Sequence, residues 1–259
     1  MRIPLYQIDA FTSRLFAGNP AAVCPLEEWL EDGVLQAIAA ENNLSETAFF
    51  VKRQNRYHLR WFTPTVEVDL CGHATLASAF VILNYLDRAS EQVAFDTRSG
   101  ELIVSRDGDL LSMDFPSRPP AECPLPARLE EALGRRPLAT LMSRDLMAVF
   151  EHEEQVRALR PDMDLLTRVE AFAVIVTAPG NDSDFVSRFF APRGGIAEDP
   201  VTGSAHCTLV PYWSQRLGKT SLHARQASAR GGELWCEDRG ARVVIRGRAV
   251  RFLEGQIVL

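Results

Sequence analysis

The sequence predicts a mixed α/β (α+β) fold of two similar halves, each a sheet wrapped around one central helix. Three observations carry that prediction. First, short stretches recur in the same order about 130 residues apart. Arg60-Trp61-Phe62-Thr63-Pro64 is echoed by Arg188-Phe189-Phe190-Ala191-Pro192, and Gly72-His73-Ala74 by Gly203-Ser204-Ala205. Thr97-Arg98-Ser99-Gly100-Glu101-Leu102 is echoed by Ser228-Ala229-Arg230-Gly231-Gly232-Glu233-Leu234. Second, Pro116, Pro119, Pro120, Pro124 and Pro126 cluster midway, where neither a helix nor a central strand can continue. Third, the run after Gly72, HATLASAFVILNYL, is apolar on almost every side, as a helix buried within a sheet must be.

The elements follow in chain order. Glu27–Glu41 places Leu30, Val34, Leu35, Ile38 and Ala39 on one helical face, although Gly33 weakens the helix slightly. Residues 47–51, 57–62, 101–105, 110–115, 171–177 and 241–245 are short, rich in β-branched or aromatic residues, and read as strands. Asp107-Gly108 between two of them signals a hairpin. The run after Gly203, SAHCTLVPYWSQRLG, reads as the second central helix, with a kink or break at Pro211 and a stop at Gly218. The halves are expected to span residues 1–118 and 119–251.

Composition bounds the function. The chain has 259 residues, of which 46% are hydrophobic and 24% charged, values typical of a globular protein with a sizeable core. Lys and Arg number 28 against 34 Asp and Glu, a net charge of −6, and no basic cluster offers a nucleic-acid footprint. The longest near-apolar stretch, 74–86, is too short to span a bilayer, and MRIPLYQIDAFT lacks the apolar core of a signal peptide. Five scattered cysteines without a CxxC pair suit reduced thiols, so a cytoplasmic location and no structural metal are expected.

Several residues could carry chemistry. Gly72 and Gly203 open the two central helices, and unpaired N–H groups at two such ends could hold a small carboxylate in a cleft between the halves. Both glycines are also compatible with ordinary chain turns. Glu46 lies in NNLSETAFF, and a carboxylate beside buried aromatics can act as a general acid/base; an exposed strand-start residue is the commoner case for a glutamate. Asp199, in AEDPVTGSAH, could orient a polar group or simply precede a proline in a turn. His73 reads as a donor, a proton carrier or a helix-start residue. Gly218-Lys219-Thr220 lacks the upstream glycine of a phosphate loop, and EHEEQ around His152 reads as a solvated face, not as HExxH. Cys71 with His73, or His206 with Cys207, supplies only two ligands for a metal.

Taken together, FAGNPAAV, NNLSETAFF, FTPTVEVDLCGHATLA and RFFAPRGGIAEDPVTGSAH occur in an order that resembles the PhzF-like family of phenazine-biosynthesis isomerases. QASARGGEL and the terminal FLEGQIVL fit as well. The resemblance implies a diaminopimelate epimerase-like fold, with residues 252–259 returning to the first half, no metal or organic cofactor, and a homodimer. It implies Glu46 as the proton-shuttling group, with His73 and Asp199 flanking the substrate. Gly72, Gly203 and Ser204 stand at the helix ends, and Asn19 shapes the cleft wall.

The implied reaction is a proton transfer within one small carboxylic acid. Epimerisation or racemisation of a small amino acid derivative, and non-catalytic binding of a small acid, are the alternatives. Epimerase relatives use a cysteine from each half, whereas Asp199-Pro200-Val201-Thr202 here contains no thiol. Cys71 beside a helix end is expected to have a lowered thiol pKa and to be at most a minor participant.

Overall fold

Residues 1–259 are all described by the computed structural model, and they divide into two units. One comprises Met1–Asp114 and Arg246–Leu259, the other Phe115–Ile245.

In the first unit, β1 (Arg2–Ala10) and β2 (Asn19–Leu26) pair antiparallel, and α1 (Asp32–Asn42) carries the chain over to β3 (Glu46–Arg53), parallel to β2. Next come β4 (Arg56–Phe62), antiparallel to β3, and the short β5 (Glu67–Val68). Helix α2 (Gly72–Val81) then crosses to β6 (Gln92–Thr97), which lies parallel to β4. β7 (Gly100–Asp107) and β8 (Leu110–Pro116) close the order as a hairpin whose Gly108 has φ +63°. The C-terminal strand Ala249–Val258 pairs along the other edge of β1.

Strand alternation decides which face each side chain takes. Cys24, Phe49 and Phe62 pack with Leu35, Ile38 and Ala39 of α1. Asn19 in β2 and Glu46 in β3 have the opposite parity and so face the side of the sheet on which α2 packs. All residues of α2 except Gly72 and Phe80 are buried, matching its apolar circumference. Its hydroxyls are satisfied within the helix: Thr75 Oγ1 donates to Cys71 O at 2.6 Å and Ser78 Oγ to Ala74 O at 2.7 Å. After Val81 the helix loosens into a π-helical turn, Ile82–Leu86. Helix α1 starts later than its stripe suggested. The chain is extended at Glu31 (ψ 140°), while Trp29 and Leu30 pack on the same apolar cluster from outside the helix.

The second unit repeats the pattern. β9 (Ala121–Glu122), α3 (Leu129–Leu133), β10 (Ala139–Met142) and β11 (Leu146–Val149) lead to α4 (Glu153–Ala158) and α5 (Met163–Leu166). Then follow β12 (Val174–Pro179), β13 (Phe185–Ala191), β14 (Ile196–Asp199) and α6 (Gly203–Leu217). β15 (Ser221–Gln226), β16 (Gly232–Asp238), β17 (Arg242–Gly247) and β18, the C-terminal strand already placed, complete the chain. β11–β12–β13–β15–β16 pair parallel, antiparallel, parallel, antiparallel. That is also the sequence of β2–β3–β4–β6–β7. The proline-rich connector is not wholly irregular, because Ala121 and Glu122 pair with Met142 and Leu141.

Two sequence expectations fail here for identifiable reasons. Pro211 does not break α6, which runs unbroken from Gly203 to Leu217 and ends at Gly218 with φ +67°. Proline has no N–H to offer the carbonyl four residues back, but Arg118 N donates to that Cys207 carbonyl at 2.9 Å and fills the gap. Nor is EHEEQ a solvated face throughout. Glu153 is buried, accepting from Arg157 Nε at 2.6 Å and from Asn181 N at 2.7 Å.

Both units share one internal clamp. Arg60 binds Glu67 bidentately at 2.7 and 2.8 Å and lies over the Phe62 ring; Arg188 binds Glu198 at 2.7 and 2.9 Å and lies over Phe190. Arg188 also donates to Val156 O and Leu159 O at 3.1 and 2.9 Å, and nothing shown replaces it. Glu67 keeps Arg98 at 2.9 Å if Arg60 is lost. Arg188→Ala should therefore cost about 3 kcal/mol, as for a broken buried pair, and Arg60→Ala distinctly less. Thermal midpoints of the two variants check this; an equal or reversed order contradicts it. No helix is long and apolar enough to cross a membrane.

Candidate active site

Because β2 and β3 run parallel, their N-terminal ends lie at the same edge of the first sheet, with Ala21 opposite Glu46. Asn19 opens β2, Glu46 opens β3, and Cys71 stands at the N-cap position of α2, followed by Gly72 and His73. These residues lie far apart in sequence, yet their side chains meet. Glu46 Oε2 is 3.0 Å from His73 Nε2, and Asn19 Nδ2 is 3.1 Å from His73 Nδ1. Cys71 Sγ lies 3.5 Å from Nδ1 and 4.0 Å from Nε2. All four residues are buried.

With the Asn19 amide donating to Nδ1, a neutral His73 carries its proton on Nε2, toward Glu46. Burial works against a cation on His73, but the Cys71 sulfur and the Glu46 carboxylate favour it and hold its pKa well above the ordinary histidine value. We regard the Glu46 carboxylate as the effective cause, since the thiol is neutral at pH 7. Oε2 nevertheless has no hydrogen-bond partner, so the 3.0 Å approach is an ion pair without hydrogen-bond alignment.

The expectation of an acidified Cys71 is overturned. Burial, then the Glu46 charge, push the thiol up to about 11, outweighing His73. A helix N-terminus acidifies a cysteine that water can reach, but at this depth desolvation of the thiolate wins. The short distances also make Cys71 a closer neighbour of His73 than its sequence position suggested. Asn19, carried over as a residue shaping the wall, touches the histidine ring directly.

In the second unit Asp199 ends β14, and Gly203 opens α6. Asp199 Oδ2 accepts from Thr202 Oγ1 at 2.5 Å. Gln226, the last residue of β15 and fully buried, ties this turn together. Its Nε2 donates to Asp199 O at 2.8 Å and to Thr202 Oγ1 at 3.1 Å, while its Oε1 accepts from Thr202 N at 2.8 Å. Sequence reasoning missed Gln226, whose only signal was its place at the head of QASARGGEL. Ser204 Oγ accepts from Arg144 Nη2 at 3.3 Å, and Arg144 also binds Asp145 through two nitrogens.

His206, one turn into α6, points inward with Nδ1 on Thr202 O at 2.9 Å and its ring beside Phe185. Burial lowers its pKa to about 4, despite the opposing Thr202 contact. Between the ordinary value of 6.5 and 4 the unfolded chain takes up a proton that the folded chain refuses. Stability should therefore fall as pH drops through that window, by at most about 3.5 kcal/mol, and His206 adds no slope below it. His73 works in the opposite sense above 6.5, where its stabilising proton is lost as pH rises, so the windows do not overlap. Unfolding free energies of the wild type and His206→Asn from pH 4 to 7 check this; a difference independent of pH contradicts it.

A sequence profile described as phenazine biosynthesis-like protein matches residues 8–255. The chain is 54% identical over its full length, and that of the relative, to a Pseudomonas aeruginosa protein named an uncharacterized isomerase. A crystal structure of an Enterococcus faecalis protein of the phenazine biosynthesis PhzF family is 49% identical, covers all of both chains, and superposes with a TM-score of 0.98. A hydroxyproline epimerase from Agrobacterium vitis, 10% identical, covers all of this chain and 93% of its own with a TM-score of 0.63, which shows a shared epimerase-like fold. With nearly its whole length matched in sequence and in fold, this chain belongs to the phenazine biosynthesis-like (PhzF) family of isomerases.

Proposed function

We propose that this isomerase moves a proton between two carbons of one small carboxylate-bearing molecule, with Glu46 carrying the proton and no organic cofactor or metal taking part. The observation that carries this reading is the Glu46 Oε2 atom, buried, 3.0 Å from His73 Nε2 and without a hydrogen-bond partner. Such an oxygen can accept a proton from a carbon acidified by adjacent unsaturation and return it elsewhere on the same molecule. The His73 cation favours the negative charge that develops on the substrate while the proton sits on Glu46. With both ring nitrogens protonated, Asn19 fixes the ring plane only with its amide oxygen turned to Nδ1–H, 3.1 Å being the separation of the two groups.

The substrate carboxylate is proposed to take N–H groups of the first turn of α2, which have no carbonyl partner within the helix. Anion capture by backbone N–H groups is consistent with a chain whose net charge is −6. Epimerisation is the second reading, and Cys71, 3.5 Å from His73, is the observation that favours it. A thiol held at about 11 is a poor base near neutrality, which ranks that reading lower.

Small unsaturated carboxylic acids and amino acids incubated with the protein in D2O and followed by NMR test the proposal. Deuterium at a new carbon together with double-bond migration is the expected result. Exchange at a stereocentre with inversion and no migration would establish epimerisation instead, and binding with no exchange over hours would reject both.

A further inference from the structure

We propose that Glu46, Cys71 and His73 also form a binding site for a thiophilic divalent cation of the zinc class. The sequence offered only Cys71 and His73 as a pair, and the register of β3 brings in the third ligand. One ligand atom from each residue lies within 4.8 Å of the others. Metal–ligand bonds of about 2.0–2.3 Å place neighbouring ligand atoms roughly 3–4 Å apart. Nε2 to Oε2 at 3.0 Å and Nε2 to Sγ at 4.0 Å fall in that range.

Glu46 Oε2, whose one close polar contact is the 3.0 Å approach to His73 Nε2, is a second sign of a missing ligand. This oxygen is buried, directed at the other two donors, and engaged in no hydrogen bond, and coordination would satisfy it. The donor set itself selects the ion. One sulfur, one imidazole and one carboxylate suit zinc or cadmium and are poor for magnesium or calcium, which need several oxygens. A fourth position remains for water or an anion.

The proton balance leaves the buried site neutral. Before binding it holds a carboxylate, an imidazolium and a neutral thiol. Coordination releases one proton from Cys71 Sγ and one from His73 to solvent, and the two positive charges of the ion replace them against carboxylate and thiolate. The Asn19 amide oxygen, turned to Nδ1–H as the imidazolium already requires, supplies the kind of outer contact that orients a ligating histidine.

Full-length protein titrated with Zn2+, and with Cd2+ as a spectroscopic probe, in a thiol-free reductant tests the site. The expected result is one ion per chain, a thiolate-to-cadmium ultraviolet band and a thermal midpoint raised by Zn2+. Cys71→Ser should lose the band, and Cys71→Ser and His73→Asn should each weaken Zn2+ affinity at least about tenfold. Mg2+ should not compete. A band that persists in Cys71→Ser, or no band in wild type at millimolar Cd2+, overturns the proposal; the wild-type titration decides even where a variant fails to fold. The effect on catalysis rests on the isomerase reading, because a metal on Oε2 takes the lone pair the proton needs. Zn2+ bound at one per chain with undiminished proton exchange would count against Glu46 as the carrier and leave the metal site standing.

Discussion

Glu46→Gln is expected to slow proton exchange at the substrate carbon by at least about a hundredfold while leaving substrate affinity within about threefold, since the loss of a positioned acid/base typically costs a factor of 10²–10⁴. Glutamine keeps the shape and the place at the start of β3 but cannot take a proton from carbon. His73 cannot substitute, because its Nε2 already faces residue 46 and its Nδ1 faces Asn19. The variant also removes the charge that holds the imidazolium. Burial then dominates, and the His73 titration followed by NMR should move downward from its raised position. A rate above a tenth of wild type would sink the assignment. Loss of affinity together with rate would instead make Glu46 a binding residue.

The second large effect concerns a glycine that has no chemistry of its own. Gly18 has φ +66°, and a Cβ built there would lie 2.2 Å from Ala10 O and 2.6 Å from Thr12 Cγ2. Two costs combine in Gly18→Ala: a left-handed backbone on an L-residue, about 1–2 kcal/mol, and an overpacked turn, about 1–3 kcal/mol. The thermal midpoint should fall by roughly 4–20 °C. Activity should fall as well, because Ala10 pairs with Asn19, and a shifted turn moves the amide that holds the His73 ring. Gly33→Ala is the control. It sits in the first turn of α1 with nothing within 4 Å, so it should be neutral or slightly stabilising. A Gly18→Ala midpoint within a degree of wild type would contradict the argument.

Much of the architecture was legible in the chain because it depends on local patterns. The Arg60 and Arg188 stretches and the two glycine-led helices mark equivalent places, and each unit has the same order of strand pairings. The circumference of α2 announced a buried helix, and Asp107-Gly108 announced a hairpin that the backbone makes. The helix at 27–41 was mis-bounded because its apolar stripe continued into Trp29 and Leu30, which pack on the same cluster without being helical. Pro211 was misread because a proline's effect depends on what else can bond to the stranded carbonyl, and Arg118 lies outside any window around it.

The candidate site divides along the same line. Glu46, His73 and Asp199 could be named from sequence, chiefly through motifs resembling those of a known family. Their environment could not. Sequence by itself determined the residue types, the two-fold repetition and the family, since these are recorded in short-range pattern and order. Tertiary structure alone decided that Asn19, Glu46, Cys71 and His73 form one buried cluster, that burial holds Cys71 as a thiol, and that Gln226 ties the Asp199 turn. Those outcomes depend on parallel strand register and on depth below the surface. A shift of one residue in β3 would turn Glu46 to the face of α1 and dissolve the site without changing a single motif.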